Sequence, residues 1–208
     1  MRGRFITLEG GEGAGKSTQA RRLADALKAR GHAVVLTREP GGSPGAEEIR
    51  RLLVEGHPER WTPLSETLLF LAARADHIAR TIEPALAAGR WVVCDRFSDS
   101  TFVYQGIARG LGVEMVRALA EASFGDFTPD LTLILDLDAA TGLLRTRGRG
   151  AGEARFEGFD VAFHTQLREG FRELAAREPK RCVLIDGSGP PDDAAAVIWR
   201  VVEEKLQP

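Results

Sequence analysis

Residues 10–17 read Gly-Gly-Glu-Gly-Ala-Gly-Lys-Ser and follow an apolar run at residues 4–9 (RFITLE). This stretch fits the pattern GxxxxGK[ST], which binds phosphate where a strand passes into a helix. Glycines let the backbone turn its N–H groups onto phosphate oxygens, Lys16 reaches the β- and γ-phosphates, and Ser17 can ligate magnesium. A glycine-rich turn with a surface lysine is the alternative, but the strand and helix patterns on either side favour phosphate binding. The predicted phosphate-binding residues are Gly10, Gly11, Glu12, Gly13, Ala14, Gly15, Lys16, Ser17 and Thr18.

The apolar pattern along the whole chain predicts an α/β fold. Short strand-like runs alternate with helical patterns, which indicates a parallel five-stranded sheet with helices on both faces. The predicted strands cover residues 4–9, 33–38, 91–95, 131–137 and 182–186. The predicted helices cover residues 16–30, 44–53, 63–88 (capped by Thr62), 113–123, 139–147, 159–176 and 192–206.

The size and charge of the chain limit its class. We expect one globular domain over residues 1–208, because this length buries one sizeable core. A net charge of −2 gives no bulk basic field, so a small anionic ligand suits the chain better than a nucleic acid polymer. No run predicts a secretory signal or a membrane span. Cys94 and Cys182 lie in apolar runs without a CxxC partner, which predicts buried thiols and a cytoplasmic location.

A GTP-dependent switch is disfavoured by the motifs that would read guanine. Such proteins usually carry an Asn/Thr-Lys-x-Asp element, and none of the few lysines of this chain stands in that setting. Residues 186–189 (DGSG) match the pattern DxxG, but they follow the last predicted strand, and a short pattern of this kind is expected by chance in a glycine-rich chain.

The segment after the third predicted strand resembles a known family. Residues 95–106 read DRFSDSTFVYQG, similar to the DR[FY]xxSxxAYQG signature of thymidylate kinases, and Val103 is the one departure. Residues 38–42 (REPGG), 70–74 (FLAAR) and 129–132 (PDLT) also resemble that family, in the same order and at similar spacing. The likeness implies a P-loop NTPase fold of the nucleoside monophosphate kinase type. It also implies transfer of the γ-phosphoryl group of ATP to dTMP, giving dTDP and ADP in dTTP synthesis.

Two charged residues end the third predicted strand and face the phosphate loop. Asp95 can hold the hydration shell of magnesium or a neighbouring cation, and the resemblance places Glu39 near the same ion, so the predicted metal residues are Ser17, Asp95 and Glu39. Arg96 can donate two parallel hydrogen bonds to phosphate and bridge donor and acceptor as charge builds. The alternatives are a plain strand-ending carboxylate and a structural arginine–carboxylate pair.

Phe70 and Arg74 lie one turn apart on a predicted helix. They can present a ring to a pyrimidine and a guanidinium to its carbonyl edge. From the sequence alone, a core position is the more ordinary interpretation of Phe70. The resemblance implies instead that Phe70 stacks on thymine and that Arg74 reads the edge of the base.

The resemblance implies further acceptor-binding residues that would otherwise be interpreted as solvated surface. Ser100 and Gln105 correspond to polar positions that face the base. Glu39 and Arg50 correspond to residues near the acceptor phosphate and its magnesium. Glu12 corresponds to a residue that reaches the 3'-hydroxyl of the sugar.

Tyr104 is the only tyrosine in the chain, whereas phenylalanine fills ten positions. A phenol at this one place suggests that its hydroxyl needs a polar partner while its ring supplies a wall. The resemblance implies that the ring lies beneath the deoxyribose and excludes ribonucleotides. A tyrosine that only braces the loop is the alternative.

The position of the catalytic arginine follows from a glycine. Thymidylate kinases carry an arginine either in the phosphate loop or in a flexible lid, and Gly13 predicts the second type. A lid is predicted at about residues 145–157, where glycines and arginines alternate without an apolar period. The lid arginines are Arg145, Arg147, Arg149 and Arg155. The predicted main catalytic cation is Arg149, or else Arg147. A solvated basic loop is the alternative.

The resemblance completes the functional hypothesis with partners and rivals. It implies ATP and Mg²⁺ as cofactors, and a homodimer through the helices around residues 64–88, whose apolar residues spread over more than one helical face. The rivals are a kinase for another nucleoside monophosphate and a nonenzymatic nucleotide-dependent regulator. The regulator would not need a second anion site at Arg96 and Arg74.

Overall fold

The computed structural model describes residues 2–146 and 155–208. Its strands form one parallel sheet in the order β2-β3-β1-β4-β5, which confirms the predicted five-stranded parallel sheet. The strands are β1 (Phe5–Gly10), β2 (Val34–Arg38), β3 (Trp91–Asp95), β4 (Leu131–Asp136) and β5 (Cys182–Asp186). In the central strand β1, all side chains are buried, as expected for a strand covered on both faces.

Helices connect the strands, and the ends of most lie within a few residues of the predicted ones. The single helix predicted over residues 63–88 is instead two α-helices with a π-helical segment between them. The α-helices are α1 (Lys16–Ala29), α2 (Pro44–Val54), α3 (Pro63–His77), α4 (Glu83–Ala87), α5 (Ser98–Thr101), α6 (Val113–Phe124), α7 (Ala139–Thr146), α8 (Val161–Arg177) and α9 (Pro191–Leu206). A 3₁₀ turn covers Pro58–Arg60, and π-helical segments cover Ile78–Ile82 and Phe102–Ala108.

The two faces of the sheet carry separate cores. Helices α1 and α9 pack together on one face, where residues such as Leu23 and Ile198 meet the strands. Helices α4 and α8 cover the other face, with Leu86 and Phe171 among their buried residues. Helices on both faces are what the alternation of strands and helices predicted.

Helix α3 begins as the sequence predicted. The Thr62 side chain accepts a hydrogen bond from the Ser65 amide, and Pro63 occupies the first turn. Leu71 is buried against the rest of the chain, whereas Leu64 and Leu68 are 45% and 48% exposed. The helix therefore has an apolar face that the described part of the chain leaves about half exposed.

The helical segment that follows β3 was not predicted. Helix α5 and the π-helical Phe102–Ala108 lie where the sequence analysis assigned only a family signature. The segment is too short and too rich in Ser, Thr and Gly to show a helical apolar period. It carries Ser100, Tyr104 and Gln105 into the site described below.

Both cysteines are buried and neither forms a disulfide, as predicted. Burial raises the pKa of the Cys182 thiol to about 12 and moves that of Cys94 well above its ordinary value. Among the described residues, no helix combines the length and apolar character needed to cross a membrane.

Candidate active site

A cavity of about 580 Å³ lies at the carboxyl edge of the sheet, a size that suits a small-molecule site. The phosphate loop forms one end of its wall, and α3 with the segment after β3 forms much of the rest. Every residue predicted to bind the acceptor or the metal lies on this wall: Glu12, Ser17, Glu39, Arg50, Phe70, Arg74, Asp95, Arg96, Ser100, Tyr104 and Gln105.

The phosphate loop passes from β1 into α1 through left-handed backbone conformations. Gly13 has φ 70° and Gly15 has φ 96°, values that glycine adopts without strain. The amides of Thr18 and Gln19 donate to the Gly15 carbonyl, so the helix starts at the loop and directs its N-terminus at the cavity. Lys16 is 7% exposed and its Nζ donates to the Gly11 carbonyl. Burial and the charge of Arg96 lower the pKa of Lys16 to about 8.

Gly13 cannot be replaced by a larger residue without moving α7. A Cβ atom at Gly13 would lie 2.0 Å from the carbonyl oxygen of Gly142, and one at Gly142 would lie 2.3 Å from the carbonyl oxygen of Glu12. The two glycines therefore allow α7 to pack directly on the phosphate loop. This contact gives a structural reason why an arginine is not carried at position 13.

Ser17 and Asp95 meet at the mouth of the loop, where the Ser17 hydroxyl donates to Asp95 Oδ2. A hydroxyl and a carboxylate are donors that Mg²⁺ takes together with water and phosphate oxygens, so these residues fit the predicted ion. Glu39 is joined to the same strand end, since its amide donates to the Asp95 carbonyl over 2.9 Å. Within residues 2–146 and 155–208, no group of three or more His, Cys, Asp or Glu side chains could hold a metal.

Arg96 reaches the phosphate loop from a left-handed backbone conformation, φ 70°. Such a conformation is uncommon for a residue other than glycine and often marks a functional position. Its guanidinium donates to the Gly10 carbonyl (3.0 Å), to Ser100 Oγ (3.1 Å) and to Glu12 Oε1 (2.8 Å). The arginine–carboxylate pair foreseen as an alternative is therefore present, and it lies on the cavity wall.

Glu12 Oε1 also accepts the phenol hydrogen of Tyr104 over 2.8 Å. Burial on its own would raise the pKa of the Glu12 carboxyl, but the charges of Arg96 and Lys16 lower it to about 2. The Tyr104 ring packs edge-on against Phe156 and lies 5.0 Å from the Arg96 guanidinium carbon. The Tyr104 hydroxyl thus has the polar partner that we expected because the chain contains a single tyrosine.

Arg74 is 2% exposed and is held by three protein groups. Its Nε donates to Glu39 Oε2 (2.7 Å), and its terminal nitrogens donate to Thr101 Oγ1 (3.0 Å) and the Phe97 carbonyl (3.0 Å). His77 occupies the other oxygen of Glu39 at 2.9 Å. A guanidinium carries five N–H donors, so these bonds do not exhaust Arg74, which also lines the cavity.

Two aromatic rings also line the cavity. The rings of Phe70 and Phe156 lie on the wall with their centroids 6.0 Å apart. Gln105 stands on the same wall and its Nε2 donates to Glu66 Oε1 over 2.9 Å. A cavity lined by both phosphate-binding groups and aromatic rings matches the composition of a nucleotide.

Comparison with known proteins settles the family. The thymidylate kinase family profile matches residues 8–198. A thymidylate kinase from Caulobacter vibrioides is 57% identical over 204 residues, covering 98% of each chain. One from Rhizorhabdus wittichii is 56% identical over 207 residues, covering 99% of this chain and all of the relative. The chain belongs to the thymidylate kinase family.

A solved structure shows that the likeness to thymidylate kinases extends from the sequence to the fold. The crystal structure of thymidylate kinase from Ehrlichia chaffeensis superimposes with a TM-score of 0.79 at 33% identity and covers 97% of this chain and 99% of that one. The P-loop fold and the family resemblance stated from the sequence are therefore confirmed.

The lid arginines of this thymidylate kinase fall into two groups. Arg147 and Arg149 lie outside the described residues. Arg145 donates to the carbonyls of Gly187 and Ser188 (3.0 and 3.2 Å), beside the end of β5. Arg155 is 2% exposed and bonded to Glu66 and to backbone carbonyls. The expectation that Arg155 is a lid cation is not met in this structure, because its guanidinium is already surrounded by acceptors.

Two carboxylates of the thymidylate kinase site were missed in the sequence analysis. Glu9 is fully buried and accepts from the Phe97 amide (2.8 Å) and Ser100 Oγ (2.6 Å), so it fixes the start of α5. Burial and the charge of Asp99 raise the pKa of Glu9 to about 7. A carboxylate near the end of an apolar strand could have indicated that Glu9 has a buried role. Glu66 lies in the first turn of a helix, where acidic residues are common, so its sequence position did not indicate such a role.

Arg50 and Ser100 stand beside the groups just described. Arg50 donates to the Pro40 carbonyl and lines the cavity. Ser100 Oγ donates to Glu9 and accepts from Arg96, so in this thymidylate kinase it connects the two rather than pointing only toward a base.

Proposed function

We propose that this thymidylate kinase transfers the γ-phosphoryl group of ATP to dTMP, giving dTDP and ADP in the synthesis of dTTP. The observation that carries the proposal is one cavity that is lined by the phosphate loop, by aromatic rings and by Arg96. A protein that only bound or hydrolysed ATP would need the loop alone. The test is ADP release that depends on added dTMP; ADP release at the same rate without it would favour the regulator.

On the donor side, the loop amides and Lys16 hold the β- and γ-phosphates. Ser17 and Asp95 are the residues that would hold Mg²⁺, with Glu39 nearby. When bound, the ion supplies positive charge to the phosphate oxygens. Burial and the charge of Arg96 lower the pKa of Lys16, and a bound polyphosphate would raise that pKa again because its negative charge favours the protonated amine.

On the acceptor side, Arg96 is the proposed phosphate ligand, with Arg50 in support. From a left-handed backbone conformation the Arg96 guanidinium donates to the Gly10 carbonyl of the phosphate loop, which would place it beside the two groups that react. The acceptor phosphate is already an anionic nucleophile, so no strong general base is required. Positioned positive charge then supplies most of the acceleration.

The base and sugar lie along the rest of the wall. Phe70 is the proposed stacking surface for thymine, and Arg74 the donor to its carbonyl edge. Gln105 meets the base beside them. Glu12 is the proposed ligand of the 3'-hydroxyl, a role favoured by a low pKa that keeps its carboxylate an acceptor.

The lid cations Arg147 and Arg149 complete the proposed site. Their assignment rests on the family pattern and on the close packing of Gly13 against Gly142, which excludes an arginine from the loop itself. A cation that contacts the γ-phosphoryl group during transfer raises kcat rather than substrate affinity.

Tyr104 is expected to select the deoxy sugar. Its ring is held edge-on by Phe156 and its hydroxyl by Glu12, so the wall cannot move aside for a 2'-hydroxyl. An unpaired buried polar group costs about 1–3 kcal/mol, or roughly ten- to a hundredfold in preference. The measurement is kcat/KM for dTMP and ribothymidine monophosphate in wild type and Tyr104→Ala. An unchanged ratio of the two substrates would show that Tyr104 only braces the loop.

A homodimer is proposed through the exposed face of α3. Leu64 and Leu68 are close to half exposed and lie one turn apart, so they form an apolar stripe on the surface of α3. Such a stripe is expected where a second protein surface covers the helix. Sedimentation at micromolar concentration should give twice the monomer mass, and Leu68→Glu should give the monomer mass. Val197→Glu, on the exposed face of α9, is the matched control. A monomeric wild type would contradict the dimer.

We also assign the protein to the reducing cytoplasm. Two buried free thiols without a disulfide suit that compartment.

A further inference from the structure

Glu66 lies near the start of α3 and is completely buried. Its Oε2 accepts from the Arg155 guanidinium, and its Oε1 accepts from Gln105 Nε2 at 2.9 Å. Arg109 Nε lies 3.7 Å from the same Oε1. Glu66 therefore joins Arg155, near the end of the predicted lid segment, to a residue on the wall of the acceptor cavity.

The environment of Glu66 fixes its chemistry. Two guanidinium groups, each permanently charged, flank the one buried carboxylate, and a guanidinium presents only N–H donors to it. An ionised carboxylate has acceptors only. The group that faces it from Gln105 must then be the amide NH₂, because the amide oxygen would meet another oxygen.

We propose that Glu66 is a specificity-determining positioning residue: by holding Gln105 Nε2, it turns the Gln105 amide oxygen toward the base of the acceptor and selects a pyrimidine that carries a hydrogen on N3. Thymine carries that hydrogen, whereas cytosine presents a lone pair at N3. The inference rests on the proposed function and concerns the selection of the base within it.

The end of the cavity where Gln105 lies is the end that takes the base. The phosphates of donor and acceptor must meet beside Lys16, so the base of the acceptor extends away from the phosphate loop. Phe70 and Phe156 lie on the cavity wall, and their rings offer aromatic surface for the base. Gln105, 1% exposed, lines the same cavity.

The contact between Glu66 and Gln105 is held in place by further hydrogen bonds. Arg155 donates to the carbonyls of Leu53 (3.1 Å), His57 (3.1 Å) and Pro58 (2.6 Å), besides Glu66. Glu66 is thus held by the Arg155 guanidinium, which is itself fixed by three backbone carbonyls. A glutamine side chain on the surface could rotate its amide at little cost, but Gln105 cannot exchange its oxygen and nitrogen without placing two oxygens together.

The size of the expected discrimination follows from the unpaired group. With cytosine, the Gln105 oxygen faces the N3 lone pair, and an unsatisfied buried acceptor costs about 1–3 kcal/mol. That corresponds to roughly ten- to a hundredfold in kcat/KM. Arg74 remains a donor toward the other edge position of the base, so releasing Gln105 removes part of the selectivity and not all of it.

The test compares kcat/KM for dTMP and dCMP in a double-mutant cycle. Glu66→Gln can accept or donate, so it frees Gln105 to turn, and the dTMP preference is expected to fall about tenfold. In the background of Gln105→Met, the preference is already lower and Glu66→Gln should not change it further. Asp99→Asn is the matched control, because it breaks another buried pair, with Arg181, without contact to Gln105.

Loss of one partner of a buried pair can prevent folding. Glu66→Gln combined with Arg155→Gln removes both charges together, and Gln105→Met leaves the Glu66 pair intact. An unchanged preference for dTMP in Gln105→Met, or a further fall when Glu66→Gln is added to it, would overturn the role of Glu66. A wild type that does not phosphorylate dTMP would instead contradict the proposed function, which separates the two failures.

Discussion

Replacement of Arg149 with alanine is expected to lower kcat by about 10³- to 10⁵-fold while leaving the affinity for dTMP nearly unchanged. Loss of an arginine that contacts the transferring phosphoryl group has this effect, equivalent to roughly 4–7 kcal/mol. The contact is made mostly in the transition state, so kcat falls and binding does not. Steady-state kinetics with ATP and dTMP, together with calorimetric binding of dTMP, measure both quantities.

Three further variants are needed to interpret the kcat of Arg149→Ala. Arg147→Ala should carry the larger loss if Arg147 is the dominant cation. Arg172→Ala, an exposed arginine on α8, is the control for removing surface charge. Unchanged kcat in Arg147→Ala, in Arg149→Ala and in their double variant would place the catalytic cation elsewhere.

Replacement of Lys16 with alanine is expected to lower kcat by about 10²- to 10³-fold, the usual loss when one fixed electrostatic donor is removed from a polar transition state. Lys16 begins α1, and within residues 2–146 and 155–208 its Nζ donates to the loop carbonyl of Gly11 alone. Alanine is a strong helix former, so the fold should be retained. Thermal unfolding and turnover, measured on the same preparation, test both parts.

Lys28→Ala is the matched control for that variant, because Lys28 is exposed at the other end of the same helix. It should keep wild-type turnover. Wild-type turnover in Lys16→Ala would remove the phosphate-binding role of the loop, whereas loss of folding in Lys16→Ala alone would assign the lysine a structural role.

Much of the site could be predicted because its signals are local. The phosphate loop is a contiguous pattern, and the strands around it are short buried runs with clear limits. Asp95 and Arg96 could be placed because the carboxyl ends of parallel strands meet at one edge of a sheet. The burial of both thiols followed from the apolar runs that contain them.

Other features depend on contacts between distant residues. Arg155 was assigned to the lid because it follows a glycine- and arginine-rich stretch, yet its partner is Glu66, 89 positions earlier. The close approach of Gly13 and Gly142 likewise joins two elements far apart in the chain. The segment after β3 has no apolar period because polar side chains point into the site, so its helical and π-helical turns were not foreseen.

The most direct test of the account is coupled release of ADP with Mg²⁺ and ATP against dTMP, dUMP, dCMP, dGMP, AMP and ribothymidine monophosphate. We expect dTMP to give the highest kcat/KM and ADP release without an acceptor to be slower by orders of magnitude. A higher kcat/KM with dCMP, dGMP or AMP would contradict the assignment of thymidylate as substrate. ADP release that no monophosphate accelerates would contradict phosphoryl transfer itself.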